Sequence, residues 1–510
     1  MPSDDSPSRL GFTTSDREQQ QQQQQQQTYT QFGSTNTAAI VAPSVSDMLN
    51  VVFSPTKDRP QATYIGGDDP FERSRRIHRL QINGLSFVRQ GFMQDLLKPA
   101  LQAETLGSIV AQVQQVAGKL QALEVAKSVS VSIDKSKEIE GFVDVVLDCV
   151  ETKMVKLTTG TELSNDEANV NMTFLARRFL GGGETIAFNG LLGTRTNTVQ
   201  SILSMPLKAD PLRRFEVMLY KNNVDNSYYN SHMLGTAGLQ LSYKTYSGSN
   251  CLHKFAYDAN VRVVQDLSSL ASYSVRNEAG YSLKSSVSHS FTRDTRDHPT
   301  VPTAGTLLKN TAELAGLGGD VYYLKCDAEI QAAQTVVKNA LILTTTLQGG
   351  ALLPLNGDRT RITDRFFLGG ANSLRGFHYA GIGPRDQRDS IGGNMFYAAG
   401  VHALFPLTGI FGTRKLLGHL WVNLGSLSLL PTARDDDDAD SGKSGKGALT
   451  LPSMAHVRHM LNTPSVAAGV GLVYQHSFLR VELNYAVPIA ITSTDAIKPG
   501  LQLGLGLNFL

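Results

Sequence analysis

The sequence lacks any long hydrophobic run. It contains no stretch of about 18 or more consecutive apolar residues, which argues against a transmembrane helix. The first residues, Met1 to Leu10, are polar and lack basic amphipathic character, so they predict neither a secretory signal nor a transit peptide. A membrane β-barrel is still compatible with this composition, because its strands alternate apolar and polar residues and average near neutral hydropathy.

Cysteine and net charge are scarce as well. The 3 cysteines, Cys149, Cys251 and Cys326, are far apart and predict neither a disulfide framework nor a metal site. A formal net charge of +2 gives no reason to expect nucleic-acid binding. We find no nucleophile–base set, so we expect a protein that is not an enzyme and uses no cofactor. A metal role for His456 and His459, in a predicted loop, is the minor alternative.

The end of the sequence carries the clearest fold signal. In residues 501–510, one face of the predicted strand is apolar and the other is polar and nearly bare. The apolar face consists of Leu501, Leu503, Leu505, Leu507 and Phe509, and the opposite face of Gln502, Gly504, Gly506 and Asn508. This alternation predicts the closing strand of a barrel with lipid outside and a polar interior. The alternative is a half-buried strand of a soluble, lectin-like sandwich.

The rest of the chain divides into three segments. Residues 1–74 are polar and contain the polyglutamine tract Gln19–Gln27, so we expect them to be disordered. Residues 75–152 read as strand, helix, helix, strand and strand, with the first helix ended by Pro99. From residue 153 to the end we count about 16 short alternating segments, which predicts an all-β transmembrane barrel of antiparallel strands.

Two long connections interrupt the predicted barrel. Residues 349–392 are rich in glycine, arginine and aromatic residues, and a loop of this length inside a compact domain is usually functional. Because it carries both apolar anchors and arginines, we expect it to fold into the polar lumen. Residues 431–464 include an acidic run and predict a solvated insertion, with a receptor for basic peptides as the alternative. This insertion follows the thirteenth predicted strand, which places it on the face opposite the amino-terminal unit.

The first of these connections carries a recognisable motif. It reads Asp364-Arg365-Phe366-Phe367-Leu368-Gly369-Gly370, followed by Leu374-Arg375-Gly376-Phe377. The string resembles the signature of the outer-membrane assembly and translocation barrels. In that family the loop folds back inside the barrel and its arginine contacts the inner wall. Residues 294–299 resemble the family's mid-barrel signature, and residues 421–425 resemble its inner-wall strand, although the family often has Asp where this chain has Asn423.

The resemblance implies three groups of site residues. The lumen-loop motif comprises Asp364, Arg365, Phe366, Gly369, Gly370, Leu374, Arg375, Gly376 and Phe377. The inner-wall contacts comprise Trp421, Asn423, Gly425, Gly469, Gly471 and Glu482, and we expect Arg375 to pair with Glu482 or with polar neighbours of Asn423. The seam strand comprises Gln502, Gly504, Gly506, Leu507 and Phe509. The spacing of its polar residue, glycine and large apolar residues resembles the sorting signal of mitochondrial barrel clients.

The same resemblance implies a function. Residues 75–152 look like one polypeptide-transport-associated (POTRA) domain. A single such domain, no signal sequence and a polyglutamine tract most resemble the core barrel of the mitochondrial sorting and assembly machinery, which is related to the bacterial barrel assembly machinery. The implied partners are β-barrel precursor polypeptides, accessory subunits and membrane lipid. The implied location is the mitochondrial outer membrane, with the POTRA domain in the intermembrane space. The alternatives are a chloroplast-envelope translocation barrel and a metabolite porin.

The glycines of the last strand suggest how such a barrel acts. Gly504 and Gly506 have no side chain to pack across to a neighbouring strand, so they weaken its pairing. We therefore expect a seam between the last strand and the first, near residues 153–162. An open seam exposes unpaired backbone groups that can bind an incoming strand by β-augmentation.

Overall fold

A computed structural model of the protein describes residues 73–163, 168–248, 250–338, 340–355, 359–407, 416–430, 453–475 and 480–506. The tail predicted for residues 1–74 lies outside these ranges except for its last two residues. Two units follow it, a small α/β unit and a large sheet. Among the described residues, no helix combines the length and apolar character needed to cross a bilayer.

The α/β unit has the predicted order of elements. They are β1 (Arg76–Asn83), α1 (Gln90–Leu101), α2 (Leu106–Ala122), β2 (Ala126–Lys135) and β3 (Phe142–Glu151). β3 lies in the centre of the sheet, parallel to β1 and antiparallel to β2. Helix α2 begins at a capping box in which the Thr105 hydroxyl accepts from the Ser108 backbone N–H and the Ser108 hydroxyl accepts from the Thr105 backbone N–H.

Helix α1 extends beyond the stop that the sequence predicted. Pro99 lies inside its last turn, and the helix ends at Leu101. A proline removes only one backbone donor, and Leu96 and Ala100 on either side of it are buried in the core of the unit. Packing of this face against the core therefore keeps the last turn helical.

The large sheet confirms the predicted barrel fold. Its 16 strands follow one another in chain order, each antiparallel to the next. They are β4 (Val155–Leu163), β5 (Ala168–Arg177), β6 (Thr185–Gly193), β7 (Thr196–Leu207), β8 (Asp210–Asp225), β9 (Met233–Ser247), β10 (Cys251–Gln265), β11 (Gly280–Asp294), β12 (Gly305–Ala315), β13 (Tyr323–Val337), β14 (Leu341–Pro354), β17 (Met395–Pro406), β18 (Leu416–Ser428), β19 (Ser465–Gln475), β20 (Arg480–Ala490) and β21 (Gly500–Gly506). A ribbon of β15 (Arg385–Asp386) and β16 (Asp389–Ser390) and three short helices, α3 (Ser227–Asn230), α4 (Tyr273–Arg276) and α5 (Met454–Asn462), lie in the connections.

The two faces of the barrel wall differ as the alternation predicts. On β10, Phe255 is 47% exposed and points outward, whereas Arg262 on the other face is 5% exposed and points into the lumen. Outward positions are mostly apolar and inward positions are mostly polar. The wall thus offers hydrocarbon contact outside and polar contacts inside.

The inward loop is shorter than predicted at its start. Strand β14 continues through Gly349 and Gly350 to Pro354, so the loop comprises residues 355–394 instead of 349–392. A Cβ at Gly350 would lie 2.6 Å from the Phe396 ring and 2.8 Å from the Phe366 ring. Both glycines are therefore part of the wall, and Gly350 makes room for two aromatic rings.

Strand parity defines the two ends of the barrel. The α/β unit contacts the β5–β6 turn and the β7–β8 turn, so all turns of that parity lie at its end. The loop of residues 355–394 and helix α5 lie at the opposite end. His456 of α5 is 2.7 Å from the Ser428 hydroxyl at the end of β18. The described part of the predicted insertion, residues 453–464, therefore lies opposite the α/β unit, while residues 431–452 lie outside the described ranges.

Ionic contacts attach the α/β unit to the barrel. Arg178, which is 2% exposed, places Nη1 3.2 Å from Glu151 and donates through Nη2 to the Thr152 carbonyl at 2.7 Å. The Ser86 backbone N–H, and after it the Arg178 side chain, hold the pKa of the Glu151 carboxyl below its usual value. Arg89 pairs with Glu184 across the same interface, at 3.1 Å. These contacts fix the unit against the first turns of the barrel.

We expect Arg178→Met to loosen this attachment. Loss of one partner in a mostly buried polar contact typically costs about 1–3 kcal/mol. Trypsin should then cut after Lys153 and release the α/β unit roughly tenfold faster than in the wild type. Arg213→Met, at an exposed arginine near the same end of the barrel, is the matched control and should leave the cleavage rate unchanged. Equal rates for the wild type and Arg178→Met would show that the ion pair does not hold the unit.

Candidate functional site: the inward loop and the last strands

The loop of residues 355–394 packs against the inner wall. Its apolar side chains are fully buried against inward residues of β17 to β20. The loop contributes Leu368, Leu374, Phe377 and Ile382, and the wall contributes Ala398, Trp421, Leu427, Ala467 and Ala486. Gly425 and Gly469 leave room for these contacts, because Leu374 lies over the first and the Trp421 ring over the second. The loop thus closes part of the lumen with a small hydrophobic core.

A buried ion pair lies beside this core. Arg375 and Glu482 of β20 are both 0% exposed, and Arg375 donates from Nη2 and Nε to the same carboxylate oxygen at 2.9 and 3.2 Å. The guanidinium carbon also lies 5.5 Å from the Trp421 ring centroid, which adds a cation–π contact. Because a buried charge without its partner is costly, this pair holds the loop against β20.

The ion pair continues into a chain of buried polar side chains. Asn484 donates to Glu482 at 2.8 Å and accepts from Trp421 Nε1 at 3.1 Å. The Asn484 oxygen also lies 3.1 Å from His419 Nδ1, and His419 Nε2 lies 2.9 Å from His402 Nδ1. Gly471 lies beside Asn484, and Asn423 is fully buried on the same inward face of β18 as Trp421. This chain connects β17, β18 and β20 beneath the loop.

The loop also contacts the last strand directly. The Gly376 backbone N–H donates to the side-chain oxygen of Gln502 in β21 at 3.2 Å, and the Gln502 amide donates to the Lys498 carbonyl at 2.8 Å. Backbone bonds join Lys498 to Gly376 at 2.9 Å and Ala496 to Gly381 at 2.7 Å. The loop therefore pairs with the connection that leads into β21, and Gln502 fastens the strand itself.

Only glycine fits at position 376. Its φ of +90° is a conformation that other residues rarely adopt, and a Cβ there would lie 2.8 Å from the Ala467 Cβ. The turn formed by Gly369 and Gly370 also has positive φ angles, +116° and +112°. The loop can reach the last strand because of this backbone geometry.

A second anchor holds the loop to the opposite wall. Asp364 accepts from Arg262 of β10 at 2.6 Å and from the Tyr323 hydroxyl of β13 at 3.1 Å, and its carbonyl accepts from Lys325 at 2.8 Å. β10 is the seventh strand of the sheet and β20 the fifteenth, so the two anchors are eight strands apart in a sheet of 16. The segment from Asp364 to Arg375 therefore crosses the lumen and is fixed at both sides.

Other motif residues stabilise the loop itself. Arg365 donates to the carbonyl oxygens of Thr360 and Ile391, at 2.6 and 3.0 Å, and contacts no wall strand through these bonds. Phe366 pairs its backbone with Gly393, while its ring lies 4.7 Å from that of Phe396. These contacts close the base of the loop.

A second connection enters the lumen from the end that bears the α/β unit. The turn of residues 295–304 between β11 and β12 buries Val301 against three inward side chains of β17, β18 and β19, namely Leu404, Leu417 and Val473. Arg296 steadies this turn by binding Asp294 at 2.8 Å and Gln331 at 2.6 Å. The lumen is thus partly filled from both ends.

The predicted site residues divide into those that meet at the loop and those that do not. The loop motif, the inner-wall residues and Gln502 come together as described above. Gly504 lies opposite Glu482, and Gly506 lies opposite Arg480, in the β20–β21 ladder. Leu507 and Phe509 lie outside the described residues. Six residues of the site were not predicted from the sequence: Arg262, Tyr323, Lys325, His402, His419 and Asn484. Only Asn484 has a local signal, because it alternates with Glu482 on the inward face of its strand.

The sheet has two free edges in the part of the chain that is described. β4 pairs with β5 and β21 pairs with β20, and no ladder joins β4 to β21 within these residues. The described residues contain no group of three or more His, Cys, Asp or Glu side chains that could hold a metal ion.

The contacts of the inward loop suit a mechanical action. They couple a loop in the lumen to the edge strand of the barrel through Gln502.

Comparison with known proteins identifies related chains. A family model described as the Omp85 superfamily domain matches residues 178–509. A SAM50-like protein of Schizosaccharomyces pombe is 34% identical over 449 residues, which cover 85% of this chain and 90% of that protein. The sorting and assembly machinery component 50 homolog of Homo sapiens is 29% identical over 445 residues, with the same coverage of 85% and 90%. A crystal structure of BamA from Haemophilus ducreyi lacking POTRA domains 1–3 has the same fold, with a TM-score of 0.69 at 16% identity over 85% of this chain and 84% of that chain.

We expect Arg375→Ala to destabilise the barrel by about 3–5 kcal/mol, because it leaves Glu482 buried without its partner. Arg375→Lys should restore little of this stability, since lysine lacks the planar fork that donates twice to one carboxylate. Thermal unfolding of the purified barrel measures the effect. Arg388→Ala, at an exposed arginine of the same loop, is the control and should change stability by less than about 0.5 kcal/mol. An unchanged melting curve for Arg375→Ala would refute the proposed importance of the pair.

The second anchor gives a separate prediction. Asp364→Asn and Arg262→Gln should each destabilise the protein, and the double variant should lose less than the sum of the two. A double-mutant cycle should give a coupling energy of about 0.5–3 kcal/mol for groups in direct contact. Tyr323→Phe, which removes one hydroxyl, should cost only about 1 kcal/mol. Strict additivity of the two charge variants would mean that the far anchor does not hold the loop.

Proposed function

The chain belongs to the Omp85 superfamily, and from that premise we propose that it inserts and folds β-barrel precursor polypeptides into the mitochondrial outer membrane through a lateral seam between β4 and β21. Relatives that match over 85% of the chain are named as sorting and assembly machinery components. The proposal assigns this chain the same kind of role, as a core barrel that acts without covalent chemistry.

The contact between Gly376 and Gln502 is the observation that carries this proposal. Gln502 is the polar residue of the edge strand β21, and the loop holds it by one backbone hydrogen bond. A precursor strand that displaces β21 must break this bond, and a polar residue at the same position of the precursor can form it again. The loop thus offers a binding position for the same pattern that we recognised in the last strand of this chain.

The edge of β4, which has no ladder to β21 among the described residues, supports the next step. Unpaired backbone N–H and C=O groups on an edge strand bind an extended peptide by β-augmentation. The alternation of faces would set the register, because a slip by one residue turns apolar side chains toward the lumen. An incoming strand would therefore pair with β4 in one register and leave its apolar face in the lipid.

The contents of the lumen favour insertion at the seam over passage through the barrel. The loop crosses the lumen between two buried anchors, and the β11–β12 turn fills part of it from the other end. A metabolite porin or a translocation barrel would have to move these segments to conduct its substrate. Release of β21 requires only the Gln502 contacts and the strand pairing at the seam to change.

The domain organisation follows from this proposal. We assign residues 75–152 as a single POTRA domain in the intermembrane space and residues 153–510 as the transmembrane barrel. The contacts of Arg178 with Glu151 and Thr152 support a fixed position of the α/β unit at one mouth of the barrel. Accessory subunits of the sorting and assembly machinery are the expected partners on the accessible surfaces.

A disulfide across the seam tests the mechanism. Cysteines replacing Leu157 or Thr159 in β4 and Leu503 in β21 should form a bond that blocks precursor insertion at least tenfold, and reductant should restore it. The control pair replaces Leu483 and Leu503, which already face each other in the β20–β21 ladder, and should leave insertion unaffected. Cys251 and Cys326 are first changed to serine in both variants. Normal insertion by the seam-locked barrel would refute the seam mechanism.

A further inference from the structure

Two histidines lie on the outward face of the barrel, where most other residues are apolar. His253 of β10 and His289 of β11 place Nδ1 and Nε2 3.2 Å apart, and their rings stack with an interplanar angle of 8°. His253 shares the face of Phe255, which is exposed, and His289 shares the face of Val287, which is exposed as well. The alternation along both strands thus directs these imidazoles outward, away from the polar lumen.

The histidines belong to a cluster of four rings. In the β10–β11 ladder His253 pairs with Phe291, and Phe255 pairs with His289. The centroid distances of these two pairs are 5.0 and 4.5 Å. The mutual hydrogen bond uses one nitrogen of each imidazole. Among the described residues no bond is seen to the second nitrogen of either ring, so both are available to a ligand at the outer surface.

The level of the cluster is that of the lipid headgroups. β10 and β11 each contain 15 residues, whereas a tilted strand needs about 9–11 to cross the hydrocarbon. His253 is the third residue of β10 and follows the turn at the end that bears the α/β unit. The strand ends therefore extend into the interface of the leaflet on that side, where aromatic rings are common.

A cation completes the cluster. Arg293, near the end of β11, is exposed on the same outward face and lies opposite Cys251. No ion pair of Arg293 is found in the part of the chain that is described. Arg293 follows Phe291 on the outward face of β11 and lies diagonally across the ladder from His253. Guanidinium and imidazole groups both hydrogen-bond to phosphate oxygens. Asn310, exposed beside Phe291, adds an amide to the same surface.

We propose that His253, His289 and Arg293 bind the phosphate of an anionic phospholipid in the leaflet that faces the α/β unit. The acyl chains of this lipid lie along the outward rings of Phe255 and Tyr257. Polar groups on the lipid face are costly unless they meet a partner, and a headgroup phosphate at this level supplies one. The site is on the seventh and eighth strands, far from β4 and β21, so it does not depend on the seam mechanism.

Lipid retention tests the proposal. The full-length protein is purified from mixed micelles that contain equal amounts of phosphatidylglycerol and phosphatidylcholine, and the retained lipids are quantified by mass spectrometry. We expect the wild type to retain phosphatidylglycerol preferentially. The variant His253→Phe/His289→Phe/Arg293→Gln should reduce this retention at least fivefold. Phenylalanine keeps a ring at both positions and suits a lipid-facing wall, so the melting temperature of the variant should not fall.

Controls separate this site from general surface charge. Lys338→Gln removes an exposed positive charge at the same end of the barrel and should leave phosphatidylglycerol retention unchanged. Equal retention of phosphatidylglycerol by the wild type and the triple variant would overturn the proposal. Equal enrichment of phosphatidylcholine in the wild type would overturn the preference for an anionic headgroup. A change of subunit stoichiometry with unchanged lipid retention would show that a protein covers the patch instead.

Discussion

The arrangement of the barrel depends on one constraint: a charge brought into a protein-filled lumen must have its partner there. The loop places Arg375 in the lumen, and its partner Glu482 points inward from β20. Neither charge is tolerable alone once water is excluded, so the loop and the wall must fold together. Asn484, Trp421 and the two inward histidines then complete the hydrogen bonds that the carboxylate and its neighbours require.

The two anchors of the loop bind to different parts of the sheet. The Asp364 anchor joins the loop to β10 and β13, in the middle of the sheet, where every strand has two neighbours. The Arg375 anchor joins it to β20, the strand before the edge, and the Gln502 contact joins it to β21, which has one neighbour among the described strands. The stable middle of the sheet can therefore hold the loop in place while the edge changes its partners. An edge strand that contains Gly500, Gly504 and Gly506 is suited to such a change.

The parts of this architecture that could be predicted are those with a local signal. Alternation in the last strand indicated which residues face the lumen, and the same alternation directed Glu482 inward, toward the expected position of Arg375. The Asp364 anchor could not be predicted in this way, because Arg262 is 102 residues away in sequence and its strand resembles its neighbours. The start of the loop was misplaced because Gly349 and Gly350 look like turn residues, although both lie in β14 and Gly350 makes space for two aromatic rings. The outward histidines break the expected apolar pattern, and their only local signal is a His-x-Phe sequence that occurs in both strands.

The docking of the α/β unit bears on how separable the two parts of the chain are. Ala209, in the turn between β7 and β8, belongs to the same hydrophobic core as Leu120, Leu123 and Val125 of the α/β unit. A fragment that ends at residue 152 therefore lacks one member of its own core and leaves Glu151 without Arg178. A transferable unit would therefore have to include the barrel turns that pack against the α/β unit. The boundary between the two parts of this chain is set by the packed interface and not by position along the sequence.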